Sequence, residues 1–375
     1  MSRWRSKSHP GRLRGRTEVA VALVTGSGGL VGSDSVRYLV EAGWDVVGLE
    51  NDMRASFFGP DASTARTTGE LVTAYPEFRS LELDVRDADG VNRVFADHSG
   101  RLELIVHAAA QPSHDWAARE PQTDFGINAN GTLNLLEAAR RHAPDATFVL
   151  ISTNKVYGDL PNELPLEELE TRLELPPGHR YFDGIDTSMS LDRSTHSLFG
   201  VSKAAADLLV QEYGRYFGLP TVAFRCGCIT GPYHAGAVLH GFLAYLMKCT
   251  VTGQEYTVFG YAGKQVRDNI HSADLVAACM AYHRAPRPAA VYNIGGGRHA
   301  NCSMLEAIEA CERIAGRKLQ WKLSEQARVG DHRWWISDLA EFAADYPEWG
   351  LTHDVESILR EIHDANVDRW SAVRT

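Results

Sequence analysis

The 375-residue chain lacks any uninterrupted apolar run near the roughly eighteen residues that a membrane-crossing helix needs, so no membrane role is expected. Its first sixteen residues contain no acid, only Arg3, Arg5, Lys7, Arg12, Arg14 and Arg16 among polar and small neighbours. No apolar stretch of signal-peptide length occurs there either, so residues 1–18 read as a disordered basic tail, with a functional basic arm as the alternative. Without that tail the body is more acidic than the overall net charge of -10, and an acidic body opposes nucleic-acid binding, which needs clustered cations. Cysteine is sparse: Cys226, Cys228, Cys249, Cys279, Cys302 and Cys311 include no C-x-x-C pair, so a structural zinc site is excluded and no metal is expected. Cys226 and Cys228 alternate along an apolar run, as buried free thiols do, and a reducing cytoplasmic setting fits.

What is present is a repeated alternation of short β-branched runs with amphipathic segments, the pattern of a parallel sheet with crossover helices. Strands are predicted over 19–25, 44–50, 79–84, 104–108, 147–152 and 221–225, with helices near 32–42, 90–98, 131–142 and 201–217. The expectation is an α/β fold: a Rossmann-type, doubly wound parallel sheet in residues 19–230, with a smaller, discontinuous C-terminal substrate lobe over 231–375. Residues 159–198, rich in Pro, Gly and acids, read as a long excursion near a site.

The first predicted strand ends in Gly26-Ser27-Gly28-Gly29-Leu30-Val31-Gly32 and then opens a helix. Glycines there let the backbone turn tightly, approach a pyrophosphate and pack the helix on the sheet, while the helix N-terminus offers N–H groups to the anion. An ordinary glycine-rich turn is the plain alternative. Glu50, followed by Asn51, ends the second strand, where a carboxylate accepts hydrogen bonds from ribose hydroxyls and repels a 2′-phosphate, favouring NAD. Arg54 stands close enough in sequence to pair with such a phosphate instead. Asp84 and Val85 end the third strand and are expected to face the adenine, with simple capping by Asp84 as the alternative.

Together these segments resemble the extended short-chain dehydrogenase/reductase superfamily, the sugar-nucleotide epimerases and dehydratases. His107-Ala108-Ala109-Ala110-Gln111 is similar to the family's fourth-strand motif, Asn128 to its helix asparagine, and Ser152-Thr153-Asn154-Lys155-Val156-Tyr157-Gly158 to its active-site strand end. Gly263 to His271 resembles the segment whose arginine binds a nucleotide-sugar diphosphate, and residues 291–297 resemble the segment that closes the fold, so 266–294 would return to the Rossmann domain. Within the family, the runs around Thr153 and Arg267 look most like the CDP-paratose 2-epimerase branch. The resemblance implies tightly held NAD bound by Gly26 to Gly32, Glu50, Asn51, Arg54, Asp84, Val85, Ala108, Ala109, Ala110, Gln111, Asn128 and Lys203. It also implies a homodimer joined through the helices at 131–142 and 201–217.

The chain departs from the family at the catalytic Tyr-x-x-x-Lys pair: Phe199 stands where the tyrosine would be, ahead of Lys203, and Cys228 stands where many members have an asparagine. Phenylalanine cannot pass a proton. Lys203 and Thr153 can still hold the nicotinamide ribose and the reacting oxygen, while His196 and Lys155 are candidate replacements for the base, the former because imidazole titrates near neutrality. Tyr181 and His114 are further candidates. Loop packing is the plain alternative for His196, and a substrate contact for Lys155. Ser113, His114, Asn154, Lys155, Arg267 and Arg333 are read as substrate contacts, the two arginines as a diphosphate clamp, although Arg333 could instead pair with Asp331 or Asp338. Trp334 and Trp335 could stack on a base or pack in a core. The functional expectation is epimerisation of a nucleotide sugar through a transient ketone, with dehydration or inert nucleotide binding as alternatives.

Overall fold

A computed structural model describes residues 19–234, 241–326 and 330–372; the basic segment 1–18 lies outside the described residues. Seven strands form one parallel sheet: β1 (Val21–Thr25), β2 (Asp45–Glu50), β3 (Phe78–Glu82), β4 (Leu102–His107), β5 (Thr147–Thr153), β6 (Thr221–Cys226) and β7 (Ala290–Ile294). Their order across the sheet is β7-β6-β5-β4-β1-β2-β3. The order reverses beside β1, so the carboxyl ends of β1 and β4 diverge and open a crevice there, the usual ligand position in such sheets. The strand predictions fall within a few residues of these elements, and the doubly wound fold is as read.

Alternate residues of each strand feed opposite cores. Val21, Leu23, Ile105, Phe148 and Leu150 pack on one face, and Ala22, Val24, Val106, Val149 and Ile151 on the other. The period-2 side-chain alternation of a strand buried on both faces produces this division, and each fully buried aliphatic or aromatic side chain contributes roughly 1.5–3 kcal/mol. Helices α1 (Leu30–Glu41) and α7 (Ser272–Arg284) cover the second face. Helices α2 (Ala88–Asp97), α4 (Gly131–His142) and α5 (Ser197–Phe217) cover the first, while the short α3 (His114–Arg119) follows β4.

The remaining chain builds a second lobe. Helices α6 (Phe242–Thr252), α8 (Met304–Ala315) and α9 (Val355–Ala372) share a core beside the paired strands Tyr256–Phe259 and Trp321–Ser324. The excursion between β5 and α5 contains only short turns and a two-residue hairpin, and it is anchored by an apolar cluster with Trp334 and Trp335. Both tryptophans are fully buried, Trp335 stacked on Tyr157, so they are core residues and not base-stacking ones.

Under the crevice lies a buried ion pair. Arg225 on β6 donates from Nε and NH2 to the Asp207 carboxylate of α5 at 3.0 and 2.8 Å, and from NH1 to Tyr157 Oη at 3.0 Å. Tyr157 Oη in turn donates to Asn293 Oδ1 of β7, and Ser152 Oγ of β5 and Gln211 Nε2 donate to Asp207. Burial alone would lower the guanidinium pKa, but the Asp207 hydrogen bonds outweigh it and raise it. Replacing Asp207→Ala leaves a buried cation unpaired and should destabilise the fold by about 3–5 kcal/mol, read as a lower midpoint in urea unfolding.

A second cluster fastens α9 to α7. His353 Nδ1 lies 3.1 Å from Asp274 Oδ2 and its Nε2 3.4 Å from Glu361 Oε1. Burial would lower the imidazole, but these carboxylates outweigh it and raise its pKa to about 9. The stabilisation is therefore complete below the unfolded value near 6.5 and is lost as pH rises toward 9. Because Glu361 is half exposed, the effect should be only on the order of 1–2 kcal/mol. Unfolding free energies at pH 6 and pH 9.5 should differ by this amount in the unmodified chain and converge in His353→Gln.

Candidate active site

The turn after β1 is shaped by close backbone approach. Gly26 has φ +66°, and a Cβ there would lie 2.9 Å from the Ala109 backbone nitrogen at the end of β4. A Cβ on Gly32 would lie 2.0 Å from the Gly26 carbonyl oxygen, so α1 can seat on the turn only with glycine there. His107, fully buried, joins the two strand ends through Thr25 Oγ1 at 2.7 Å and reaches Thr132 Oγ1 at 2.9 Å; burial lowers its pKa to about 3 and keeps it neutral.

Gly26, Gly28, Gly29, Leu30, Val31 and Gly32 line one wall of a long cleft. Beside them the Glu50 carboxylate accepts from the Gly28 N–H at 2.9 Å and from the Asn51 and Asp52 N–H groups at 3.0 and 2.9 Å. Arg54 lines the same region, and desolvation lowers its guanidinium pKa to about 10, with Glu50 opposing. Asp84, Val85 and Asn51 complete this end; Asn51 Nδ2 donates to Asp84 Oδ2 at 2.8 Å. Asp84 is also held by Arg86 through its backbone N–H and its guanidinium, so it orders the loop as well as lining the cleft.

Farther along, Ala108, Ala109 and Ala110 line the floor, but Gln111 and Asn128 do not. They stand behind the wall as a brace. The Gln111 N–H donates to Asn128 Oδ1 at 3.0 Å, and Asn128 Nδ2 donates to Gln111 O, Asp124 Oδ1 and Ser202 Oγ. Their expected cofactor contact is thus corrected to a positioning role, in which Asn128, within a π-helical turn at Gly126–Asn130, links the β4 loop to α5.

Thr153, Lys203 and Phe199 line the same cleft. Lys203 Nζ donates to Ile151 O at 2.9 Å, and burial lowers its pKa to about 8 despite the raising influence of Cys226, Asp207 and Asp124. Thr153 Oγ1 accepts from the Lys155 N–H at 3.2 Å. Phe199 lies one helical turn before Lys203 on the same side of α5, so an apolar ring fills the wall where the family places a phenol.

His196 is not brought to this point. Its Nε2 lies 2.8 Å from Val156 O and its Nδ1 is held by Ser194, so it packs the loop before α5 and is not part of the cleft lining. Ser113 is likewise behind the wall, capping α3 by accepting from the Trp116 N–H at 3.2 Å. Arg333 does not line the cleft; its guanidinium sits 5.9 Å from the Tyr261 ring centroid. Tyr181 belongs to the apolar cluster around Trp334.

His114, Asn154, Lys155 and Arg267 do line the cleft, with Cys228 and Asp331; His114 lies against Phe199. Lys155 Nζ donates to Gly330 O at 2.8 Å, and Arg267 NH2 lies 3.8 Å from Asp331 Oδ1. Burial raises the Cys228 thiol to about 11, so it is no nucleophile at neutral pH. The sequence reading missed the aromatic end formed by Phe242, Tyr256 and Phe259 with Gln265. The alternation of Tyr256-Thr257-Val258-Phe259 is the local signal of this strand, isolated beyond residue 231, where the regular pattern loosens. The glycine cradle, Glu50 and the buried Lys203, set along one cleft, fit an extended dinucleotide with its phosphates at the α1 N-terminus.

Residues 22–295 match the family described as NAD dependent epimerase/dehydratase. The chain is 30% identical over 328 residues to the CDP-paratose 2-epimerase of Salmonella typhi, covering 84% of this chain and 90% of that relative. It is 31% identical over 282 residues to dTDP-glucose 4,6-dehydratase 1 of Escherichia coli (strain K12), 73% of this chain and 71% of that one. Among solved structures, a UDP-glucuronic acid 4-epimerase from Bacillus cereus, in complex with UDP-glucuronic acid and NAD, has the same fold, with TM-score 0.75 at 21% identity over 93% of this chain and 99% of that one.

Glu50→Gln removes the charge offered to ribose hydroxyls and should weaken NAD binding about 10–100-fold, the loss of a charge-assisted hydrogen bond. Equilibrium dialysis measures this, and an unchanged affinity would detach Glu50 from the ribose.

Proposed function

The chain belongs to the NAD dependent epimerase/dehydratase family, and from that premise we propose that it isomerises a nucleotide-activated sugar by transient oxidation to a ketone and hydride return. The observation that carries this reading is the alignment, in one cleft, of the glycine cradle, Thr153 with Lys203, and Arg267 with Lys155 at the far end. NAD, when bound, supplies the hydride acceptor and donor. The chain's own groups do the rest: Lys203 holds the nicotinamide ribose, Thr153 hydrogen-bonds the reacting oxygen, and Arg267 and Lys155 receive the diphosphate. In this reading residues 19–230, with the return at 266–294, hold the dinucleotide, and the rest of 231–375 holds mainly the sugar nucleotide.

Epimerisation is favoured over dehydration by one observation: the epimerase relative matches over 90% of its length, the dehydratase over 71%. The setting we infer is a reducing cytoplasm, consistent with six free cysteines and with no helix among the described residues long and apolar enough to cross a membrane. We also infer a homodimer through α4 and α5. Leu198, Val201, Leu208, Tyr216 and Phe217 of α5 are exposed apolar side chains on a single helix, and a stripe of this kind is normally covered by a partner surface.

Incubation with CDP-, UDP- and dTDP-hexoses in deuterated water tests the reaction. An isomer of unchanged composition, with or without one deuteron on carbon, supports epimerisation. Loss of one water assigns a dehydratase, and bound NAD without turnover assigns an inert binder. Sedimentation of Val201→Glu/Leu208→Glu should show monomers where the unmodified chain shows dimers.

A further inference from the structure

Phe199 removes the phenol that would carry the substrate hydroxyl proton, so a proton carrier must come from elsewhere in the same cleft. Of the replacements read from the sequence, His196 lies outside the cleft lining, Tyr181 packs in the apolar cluster around Trp334, and Lys155 donates from Nζ to Gly330 O. The remaining candidate meets the geometric requirement. His114, the first residue of α3, lines the cleft and packs edge-on against the Phe199 ring, with centroids 5.0 Å apart and planes at 68°. The imidazole therefore stands beside the ring that replaces the phenol.

His114 is held from three sides. Its Nδ1 is 2.8 Å from Ser197 Oγ, and the Phe199 ring abuts it. The backbone of Gly330 closes the third side: a Cβ there would lie 2.6 Å from His114 Nδ1. Ser197 is the first residue of α5, and its φ of +43° is uncommon for a residue with a Cβ. That conformation comes with an Oγ that also accepts from the Gly200 N–H at 3.2 Å. Strained backbone of this kind persists where surrounding structure demands it, and here it fixes the partner of an imidazole. A hydroxyl can donate to Nδ1 or accept from it, so Ser197 suits both protonation states of the ring.

We propose that His114 is the acid/base residue of the redox step, oriented by Ser197. The proposal rests on the epimerase reading above. The imidazole takes the sugar hydroxyl proton as the O–H and C–H bonds break, C=O forms, and the hydride reduces NAD+ to NADH. In the return step the imidazolium gives that proton back to the carbonyl oxygen while NADH returns the hydride. The surrounding ionisable groups are Lys155, Arg267 and Asp331 along the cleft, Lys203 on the Phe199 helix, and His332, which burial keeps neutral.

The test uses the full chain carrying NAD. His114→Gln should lower kcat by about 10²–10⁴-fold and abolish the acidic limb of its pH profile, while KM, bound NAD and melting temperature stay near those of the unmodified chain. Phe199→Tyr placed on top of His114→Gln should recover at least part of the lost rate. A histidine-labelled NMR titration gives a second readout, independent of turnover: the His114 resonance should move when UDP-glucose is added. Turnover of His114→Gln within a few-fold of the unmodified chain, or a His114 resonance indifferent to the sugar nucleotide, would overturn the assignment. If His114→Gln does not fold, Ser197→Ala replaces it, with a displaced pH profile expected and an unchanged one counting against the proposal. Absence of turnover by the unmodified chain sinks the reaction reading itself, and with it this step, whereas retained turnover in His114→Gln sinks only the role of His114.

Discussion

The Arg225–Asp207 pair, fully shielded beneath the crevice, fixes the height at which α5 rides on the sheet. Asp207 lies one turn after Lys203 on α5, and Arg225 stands on the strand beside β5. The same charges engage Tyr157 from the loop after Thr153 and, through it, Asn293 on β7. One network therefore sets the spacing between the helix that carries Phe199 and Lys203 and the strand that carries Thr153. An apolar replacement of similar volume could be as stable, since buried ion pairs are weak sources of net stability. What the pair supplies is directionality: a fork of guanidinium hydrogen bonds has one register, whereas aliphatic packing tolerates several.

The two ends of the cleft are built differently. At the dinucleotide end, backbone N–H groups and close glycine contacts form the surface, so its shape depends on the absence of side chains. Around Arg267, Lys155 and Asp331 the surface is made of charged and polar side chains drawn from segments far apart in the chain. The first arrangement tolerates little substitution. The second can be retuned one residue at a time, which is how one fold serves many sugars.

That difference also explains what was legible in the sequence. Six of the seven sheet strands and the glycine cradle could be read because their causes are local: β-branched apolar runs, and glycines at positions where a Cβ would strike backbone; the seventh, Ala290–Ile294, entered only through the family resemblance. Glu50 followed from its place at a strand end. Gln111 and Asn128 were misassigned because a linear motif does not say which side of a wall a residue occupies. His196 was misplaced for a related reason. It lies three residues before Phe199, but the chain enters α5 through the left-handed Ser197, which breaks the helical spacing that would have brought the two together. The juxtaposition of His114 with Phe199 joins residues 85 apart and had no local signal at all.

Gly330 connects these observations to the order in which the molecule can be made. Its carbonyl receives the ammonium of Lys155, 175 positions earlier in the chain, and its backbone abuts His114, earlier still. A nascent chain can pair β1 through β6 as soon as those segments leave the ribosome, yet the sugar end waits for nearly the whole polypeptide. Long-range closures of this sort are slow steps in folding. A translation product that ends between Ile294 and Gly330 would thus contain every strand of the parallel sheet but lack the backbone that meets Lys155 and His114.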